Sequence, residues 1–561
     1  MERAEKKRAR GKDDDAYAGP AASRATPGEP RVDDARRRRE GHSVDTVLAQ
    51  GGFVGHRDGF RSNEGGFLGD ATGSIIPPIF PSTTYARVGS SMGYDLRHMS
   101  TPRHRDVISD LVPHDDDAFG DFFTKKQTRH QTEDKKHPLM YSRPDNPTYT
   151  QAESVLASLE GGADAALFSS GMAAVSAVAS ATLRAGDRAA VPKNCYFAVR
   201  VFFQEWCERY GVDCVLYDCE IKGDLENAVR GVDRADDPAG DGKCKLLWIE
   251  TPSNPTWRVT DIRAAAAVAR ACGAVTCCDA TVLTPLVCRP LTLGADLVMH
   301  SATKYLNGHS DVVAGAVVGR KTRTAEASGG GVGGVDADAG SDAFPKVWDR
   351  LLRARSFGGS VLGPFEAWLL LRGMRTLHVR VRAQCATAAA LANKLRSHPC
   401  VAAVYYPGLE THPGHAVARA QQSSPFSFSA NTRACGSKDQ KMFGGMLSVR
   451  CVGGGKAAVM TTSMTKVWFP ATSLGGVESL VEHRKTVEGP SSGTPDDLLR
   501  LSVGLEHADD LYRDLSEALW DAHGRIASSA KRRKTRDARK ESEENGGERP
   551  SRRDGFGSDD E

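Results

Sequence analysis

Residues 296–309 read Asp-Leu-Val-Met-His-Ser-Ala-Thr-Lys-Tyr-Leu-Asn-Gly-His, a short apolar run followed by a polar cluster around Lys304. Residues 295–299 are typical of a buried strand because they are apolar, few and bounded by turn residues. The polar cluster would follow the carboxyl end of that strand, where open α/β sheets bind ligands. There the Lys304 amine could form a Schiff base with an aldehyde cofactor, and the hydroxyls of Ser301 and Thr303 could donate to its phosphate.

A second apolar run, Val275-Thr-Cys-Cys-Asp279, ends in a carboxylate. A lone lysine after a strand is more often an ordinary surface or ion-pairing residue, and a lone aspartate is often a helix cap. The pair is more informative, because a carboxylate near a Schiff-base lysine keeps a pyridine nitrogen protonated and its ring an electron sink. Lys304 and Asp279 together therefore predict pyridoxal phosphate as the cofactor.

Four motifs carry a family resemblance, and they are Ser301-Ala-Thr-Lys-Tyr305, Tyr141-Ser-Arg-Pro-Asp-Asn-Pro-Thr148, Ser169-Ser-Gly-Met-Ala-Ala174 and Ser473-Leu-Gly-Gly-Val-Glu-Ser479. They resemble the trans-sulfuration enzymes, the Cys/Met-metabolism family that uses pyridoxal phosphate. The similarity extends over residues 42–522 with interruptions. It implies an α/β fold of the aspartate aminotransferase type (fold type I), with a large, mostly parallel sheet domain and a smaller α/β carboxyl-terminal domain. Apolar strands alternating with Ala-rich helices over residues 151–320 independently favour that sheet.

Two of these motifs also suit an anion by their own chemistry. Tyr141 and Arg143 supply a phenol and a guanidinium fork, which are good partners for a phosphate. Gly171 and Met172 begin a predicted helix, whose first backbone N–H groups would face an anion.

The resemblance implies a full set of site residues. The implied cofactor contacts are Lys304, Asp279, Thr281, Ser301, Thr303, Gly171, Met172, Tyr196, Asn254, Tyr141 and Arg143. The implied catalytic residues are Lys304, Tyr196 and Tyr141, and the implied substrate contacts are Arg500, Ser473 and Asn254. In the family, Tyr141 and Arg143 would reach the neighbouring subunit's cofactor, so we expect a homodimer or homotetramer with shared active sites.

The chain divides into five predicted segments. Residues 1–41 form a charged disordered tail, 42–150 an amino-terminal arm with an insertion, and 151–353 the large cofactor domain. Residues 354–524 form the small domain, ending in a helix over 507–522, and 525–561 form a second disordered tail whose basic and acidic charges nearly cancel. Insertions are expected at 86–138, 321–344 and 419–440.

The composition excludes several classes of protein. A net charge of +3, from 74 basic and 71 acidic residues, gives no global field for nucleic acid or a membrane. The 13 cysteines contain no CxxC pair, which favours reduced buried thiols over disulfides or a metal site. No apolar run approaches the roughly 20 residues that span a bilayer. We therefore expect a soluble cytoplasmic enzyme acting on a small amino acid, with organelle import as the alternative.

The resemblance leaves the exact reaction open. It implies β- or γ-elimination or replacement through aldimine and carbanion intermediates. The leading interpretation is a cystathionine-type carbon–sulfur lyase or synthase. The runner-up is sulfhydrylation of an activated homoserine, and a non-catalytic scaffold with a degenerate enzyme fold is the alternative from another class. Two departures from the family pattern leave the substrate open: Thr472 where an acidic residue often stands, and the stretch 483–495 in place of a Pro-Ala-Ser-Met-Thr-His signature. A third, Phe197 and Ala198 where two glycines usually follow the tyrosine, leaves the shape of the pocket wall open.

Overall fold

The computed structural model describes residues 77–85, 141–231, 243–321, 344–422, 441–490 and 492–545. Two sheets organise them, one of seven strands and one of five. The predicted tail 1–41, the insertion 86–138, residues 546–561 and most of the other two predicted insertions lie outside the described residues.

The larger sheet is built from strands that alternate with helices. Its elements in chain order are α1 (Pro147–Glu160), β1 (Asp164–Phe168), α2 (Gly171–Thr182), β2 (Arg188–Pro192), α3 (Phe197–Tyr210), β3 (Asp213–Tyr217), α4 (Asp224–Arg230), β4 (Cys244–Glu250), α5 (Ile262–Ala271), β5 (Val275–Asp279), α6 (Thr284–Val287), β6 (Leu297–His300) and β7 (Gly315–Gly319). The strand order is β1-β7-β6-β5-β4-β2-β3. Strands β3, β2, β4, β5 and β6 are mutually parallel and β7 is antiparallel to both neighbours, which confirms the mostly parallel sheet.

Strand β4 shows how the sheet is covered on both faces. Leu247 and Ile249 belong to one apolar cluster, whereas Leu246 and Trp248 belong to another. Consecutive side chains of a strand point to opposite faces, so each cluster lies on its own side of the sheet. All four side chains are fully buried. An uninterrupted apolar strand is what such two-sided burial requires.

The smaller sheet follows a helical stretch. The elements are α7 (Phe344–Gly358), α8 (Pro364–Met374), α9 (Leu377–Leu395), β8 (Val401–Tyr405), α10 (His415–Ala420), β9 (Met446–Cys451), α11 (Gly454–Met464), β10 (Phe469–Pro470), β11 (Leu480–His483), α12 (Arg484–Glu488), β12 (Leu498–Ser502) and α13 (Ala508–Asn545). The order is β10-β11-β12-β9-β8. The sequence predicts a strand over residues 466–469, but only Phe469 and Pro470 pair as one. The reason is that the Asp514 carboxylate accepts the backbone N–H groups of residues 466–468.

The carboxyl-terminal helix is longer than the sequence predicts. It runs to Asn545 instead of ending near residue 522, and residues 527–541 on it are exposed. Residues 525–545 contain neither glycine nor proline and are rich in Lys, Arg, Glu and Ala, which favour helix without packing. The prediction of disorder is therefore wrong for residues 525–545.

Two sets of contacts hold the parts of the chain together. The described piece of the arm, residues 77–85, is fastened where Asn146 Nδ2 donates to Phe80 O over 2.9 Å, while Asn146 also caps α1. Between the two sheet units, the buried indole of Trp257 donates to Ser448 Oγ over 2.8 Å, and that hydroxyl donates to Pro255 O over 2.8 Å. None of the helices in the described ranges is both long enough and apolar enough to span a membrane.

Candidate active site

Lys304 lies four residues beyond β6, and its amine meets the small domain. Its Nζ donates to Ser473 Oγ over 2.7 Å. Burial and the positive charges of Arg500 and Arg484 lower the pKa of Lys304 to about 8, against the opposing effect of Glu482. A lysine with that pKa is largely neutral at slightly alkaline pH, so it can act as a nucleophile or a base.

Asp279 is the last residue of β5 and lies where the parallel strands have their carboxyl ends. Its Oδ1 accepts the backbone N–H of Thr281 over 2.9 Å and the Thr281 hydroxyl over 2.5 Å. That hydroxyl in turn accepts the Ser301 N–H over 2.8 Å, so Thr281 joins the Asp279 carboxylate to the loop that carries Lys304. Burial raises the pKa of Asp279, and the Thr281 hydrogen bonds act against that rise. A cationic partner, such as a protonated pyridine nitrogen, would favour the ionised carboxylate in the same way.

The start of α2 approaches the Lys304 loop closely enough to require a glycine. A β-carbon added at Gly171 would lie 3.0 Å from Ser301 Cβ and 3.1 Å from Ser301 Oγ. The missing side chain leaves a small cradle in which the first N–H groups of α2, including that of Met172, can face a phosphate beside the Ser301 hydroxyl. With an aspartate and a lysine at the same sheet edge, this cradle fits pyridoxal phosphate.

Thr303 is placed differently from the expectation. Its hydroxyl donates to Ala314 O over 3.1 Å and accepts the Ala314 N–H over 2.9 Å. Because a threonine hydroxyl has a single proton to donate, this side chain is committed to the backbone of Ala314, the residue before β7. Its contact with a phosphate stays a prediction.

Arg500, in the middle of β12, connects the predicted substrate residues. Its Nη2 donates to Ser473 O over 2.8 Å and its Nη1 donates to Asn254 Oδ1 over 3.3 Å. Its Nη2 also pairs with Glu482 Oε2 over 2.6 Å. The guanidinium is 4% exposed, and burial together with the nearby Arg484 lowers the pKa of Arg500 to about 10. The structure therefore brings Arg500, Ser473 and Asn254 together, as predicted, and adds Glu482 to them.

Glu250, the last residue of β4, is a site residue to which the sequence analysis assigns no role. One of its oxygens accepts the Tyr196 N–H over 2.7 Å and the other accepts the Asn254 N–H over 2.8 Å. In the sheet it is the register partner of Asp279. Burial, with a smaller contribution from Asp279, raises the pKa of Glu250 to about 8. The sequence signal was present, since a glutamate ends an apolar strand in the same manner as Asp279.

The three predicted aromatic and basic partners lie nearer the surface. Tyr196 precedes α3 with 38% of its side chain exposed, and its ring meets that of Phe197 edge-on with centroids 5.2 Å apart. Phe197 thus places a ring against Tyr196, where a glycine would leave open space. Tyr141, 48% exposed, forms an isolated bridge with Thr84 of the arm, and the Arg143 guanidinium lies 5.7 Å from its ring. The cofactor roles of Tyr196, Tyr141 and Arg143 remain predictions.

Known proteins are similar in sequence to this chain over most of its length. The family model for the Cys/Met metabolism PLP-dependent enzymes matches residues 121–520. An L-methionine gamma-lyase of Porphyromonas gingivalis is 31% identical over 474 residues, which cover 82% of this chain and 97% of that protein. A cystathionine gamma-synthase of Mycobacterium bovis is 37% identical over 384 residues, covering 68% of this chain and 86% of that protein.

A solved structure is similar as well. The cystathionine gamma synthase of Xanthomonas oryzae pv. oryzae in complex with cystathionine has a TM-score of 0.64 and 32% identity, and the match covers 86% of this chain and 99% of that one. The predicted fold class, the pyridoxal phosphate cofactor and the enzyme class of carbon–sulfur lyases and transferases are thereby confirmed. The chain belongs to the Cys/Met-metabolism family of PLP-dependent enzymes, which act in sulfur amino-acid metabolism.

Proposed function

We propose that this enzyme makes or breaks a carbon–sulfur bond in cystathionine or a related sulfur amino acid. The observation that carries the proposal is the joint position of Lys304 and Arg500 on Ser473. The hydroxyl of Ser473 holds the Lys304 amine, while its carbonyl holds the Arg500 guanidinium. Ser473 therefore holds the Lys304 amine close to the guanidinium of Arg500. An α-amino acid could place its amino group near Lys304 and its carboxylate on Arg500.

Each residue then has a defined task. Arg500 binds the α-carboxylate, and Asn254 orients Arg500 through its side-chain oxygen. Pyridoxal phosphate, when bound, supplies an electron sink that makes the α-proton of the amino acid acidic. Lys304, with its pKa of about 8, takes that proton and can return it at another carbon. The phenols of Tyr196 or Tyr141 assist departure or entry of the sulfur group.

A second reaction, sulfhydrylation of an activated homoserine, is favoured by one position. Thr472 stands where relatives that handle a substrate with a distal amino group often carry an acidic residue. A carboxylate there would pair with the distal ammonium of cystathionine, whereas threonine would not. An O-acyl homoserine ester carries no such distal ammonium and loses nothing by the change.

An assay of the purified holoenzyme against cystathionine, against cysteine, and against activated homoserine esters with either cysteine or sulfide, with identification of the products, separates the two reactions. The leading proposal expects turnover of cystathionine, or its formation from a homoserine ester and cysteine. Turnover of the ester with sulfide alone, and no reaction involving cystathionine, would establish the second reaction instead.

The Arg500 assignment is tested by a matched pair of arginine-to-lysine variants. In Arg500→Lys the charge remains but the two-pronged geometry is lost, so substrate binding should weaken by about 1 to 3 kcal/mol while cofactor colour persists. Arg450→Lys is the control, because Arg450 lies on the neighbouring strand β9 and pairs with Asp497 instead. Equal substrate affinity in Arg500→Lys and wild type would remove Arg500 from the substrate site.

We also propose that Tyr141 and Arg143 serve the cofactor of a second subunit, which makes the active unit at least a dimer. The support is their exposed position beside the arm, in a segment that precedes the whole large sheet. Mixed assemblies of inactive Arg143→Ala and inactive Lys304→Ala subunits should regain activity, since one of the two sites then has both intact halves. Verified hybrids without activity would contradict the shared site.

For its location we propose the cytoplasm. The described cysteines are free, nine of them buried, as expected in a reducing compartment. Fractionation of cells that express the full chain would show it in the cytosolic fraction, and recovery from an organelle would overturn the proposal.

A further inference from the structure

A buried carboxylate, that of Glu482, already pairs with Arg500, the predicted substrate-binding arginine. Glu482 Oε2 lies 2.6 Å from Arg500 Nη2 and also 2.6 Å from Arg484 Nη1. Glu482 and Arg500 are register partners on the antiparallel strands β11 and β12, so the backbone fixes this pairing. Glu482, Arg484 and Arg500 are 7%, 1% and 4% exposed. One carboxylate oxygen is therefore shared by two guanidinium groups away from water.

The geometry of Arg500 sets this carboxylate in competition with a substrate. Both bidentate edges of a guanidinium, Nε with Nη2 and Nη1 with Nη2, require an N–H of Nη2. One proton of Nη2 is donated to Ser473 O, and Glu482 Oε2 lies in ion-pair contact with the same nitrogen. A substrate carboxylate that binds Arg500 with two hydrogen bonds must approach this nitrogen, where it competes with Glu482 for the positive charge.

Of the two groups that contact Nη2, Glu482 can be displaced by a substrate at the smaller cost in free energy. If it releases Arg500, it keeps its ion pair with Arg484, so no buried charge is left unpaired. Arg484 is itself anchored on its other edge, where Nη2 and Nε donate to Glu488 Oε1 over 2.8 Å and 3.1 Å. Ser473 O belongs to the residue that also holds the Lys304 amine, and displacing it would disturb that contact.

We propose that Glu482 is a resident counter-ion that is exchanged for the substrate. It pairs with Arg500 in the free enzyme, gives up its place at Nη2 to the incoming α-carboxylate, and stays bound to Arg484. Arg484 is the positioning residue that makes this exchange possible. The inference deepens the proposed function and rests on Arg500 as the carboxylate site.

The exchange has a consequence for specificity. A ligand must outcompete a carboxylate for Arg500, so only a charged acceptor of comparable strength succeeds. A neutral amide can accept hydrogen bonds from the guanidinium but brings no negative charge, so it cannot replace the ion pair. The site would therefore select free amino acids over amidated or peptide-linked ones.

The test titrates the visible band of the cofactor in the holoenzyme with glycine and with glycinamide, which differ only in the carboxylate. In Glu482→Gln the competing charge is gone, so glycine should bind about tenfold more tightly, whereas in Glu488→Gln its affinity should stay within about twofold of wild type. Glu488→Gln is the matched control, because it removes a carboxylate from the same Arg484 without touching Arg500. Glycinamide should not share the gain in Glu482→Gln.

The outcomes separate this inference from the proposed function. If Glu482→Gln binds glycine more weakly than wild type, Glu482 supports Arg500 and does not compete with the substrate, and the exchange is wrong. If Arg500→Lys binds glycine as well as wild type, the carboxylate site itself is misassigned. Should Glu482→Gln fail to fold, Glu482→Asp decides, because the shorter carboxylate withdraws from Arg500 while the charge remains. Unchanged glycine affinity in a folded Glu482→Asp would then overturn the proposal.

Discussion

The Nζ of Lys304 donates to the Oγ of Ser473 over 2.7 Å, although 169 positions separate the two residues in sequence. Lys304 follows a strand of the large sheet, and Ser473 lies between two strands of the small one. Correct docking of the two units therefore places the amine. Ser473 adopts this position with a φ of 91°, in the left-handed region that side chains other than glycine rarely occupy.

Two substitutions at Ser473 distinguish the contribution of its hydroxyl to turnover from the contribution of its backbone conformation to stability. Both Ser473→Ala and Ser473→Gly remove the acceptor for the Lys304 amine and should lower turnover alike. Ser473→Gly should unfold with a free energy about 1 kcal/mol higher than Ser473→Ala, because glycine adopts positive φ without a steric penalty. Denaturant unfolding and steady-state kinetics of both variants measure the two effects. Wild-type turnover in Ser473→Gly would show that the hydroxyl has no part in the reaction.

Glu250 predicts a pH dependence of stability. Its pKa in the folded protein is about 8, raised from an ordinary value of 4.5, so the folded state keeps a proton that the unfolded state has lost. The contribution of Glu250 to the free energy of unfolding is fully present below pH 4.5. It falls as the pH rises toward 8, by up to about 1.4 kcal/mol per pH unit. Glu250→Gln cannot ionise, so its unfolding free energy should decline less over this range. Parallel curves for wild type and variant would contradict the raised pKa.

The same variant should be less stable than wild type near pH 4, where Glu250 is protonated in both the folded and the unfolded state. Glutamine offers one side-chain oxygen, whereas Glu250 accepts the N–H groups of both Tyr196 and Asn254. One buried N–H loses its acceptor, at a cost of about 1 to 3 kcal/mol. Unfolding by urea near pH 4 measures that loss, because the pH-dependent contribution of Glu250 is then the same in both proteins.

Ser448 is predicted to join the two units energetically. In Ser448→Ala the buried Trp257 indole loses its acceptor, so the unfolding free energy should fall by about 1 to 3 kcal/mol. The control is Ser463→Ala, which removes an exposed hydroxyl bonded within its own helix and should stay within about 0.5 kcal/mol of wild type. Equal stability of the two variants would show that the Trp257 contact contributes nothing.

The large sheet was predictable because its signals are local. Asp279 and the Lys304 cluster each follow a short apolar run, and parallel strands bring such ends to one edge without further information. Arg500, Ser473 and Asn254 were recognisable through motifs, and the structure places all three together.

The charged residues behind Arg500 were not predictable in this way. Glu482 and Arg484 stand in a short stretch whose charges resemble a solvated surface. Glu482 is buried because it pairs with Arg484 two residues away and with Arg500 across the strand pair. The strand expected at residues 466–469 failed for a similar reason, because Asp514, far along the chain, takes its backbone donors. Tertiary contacts determine such partners, and the hydrophobic periodicity of the sequence contains no information about them.

The central claim is that Lys304 carries the pyridoxal phosphate, and borohydride reduction of the holoenzyme followed by mass mapping of its peptides tests it most directly. Reduction fixes the cofactor to the lysine that binds it. We expect a phosphopyridoxyl group on Lys304 alone, loss of both the label and the visible band in Lys304→Ala, and retention of both in the control Lys394→Ala, whose surface lysine pairs with Asp509. A label on another lysine, or a wild-type protein that takes up no cofactor, would contradict the account.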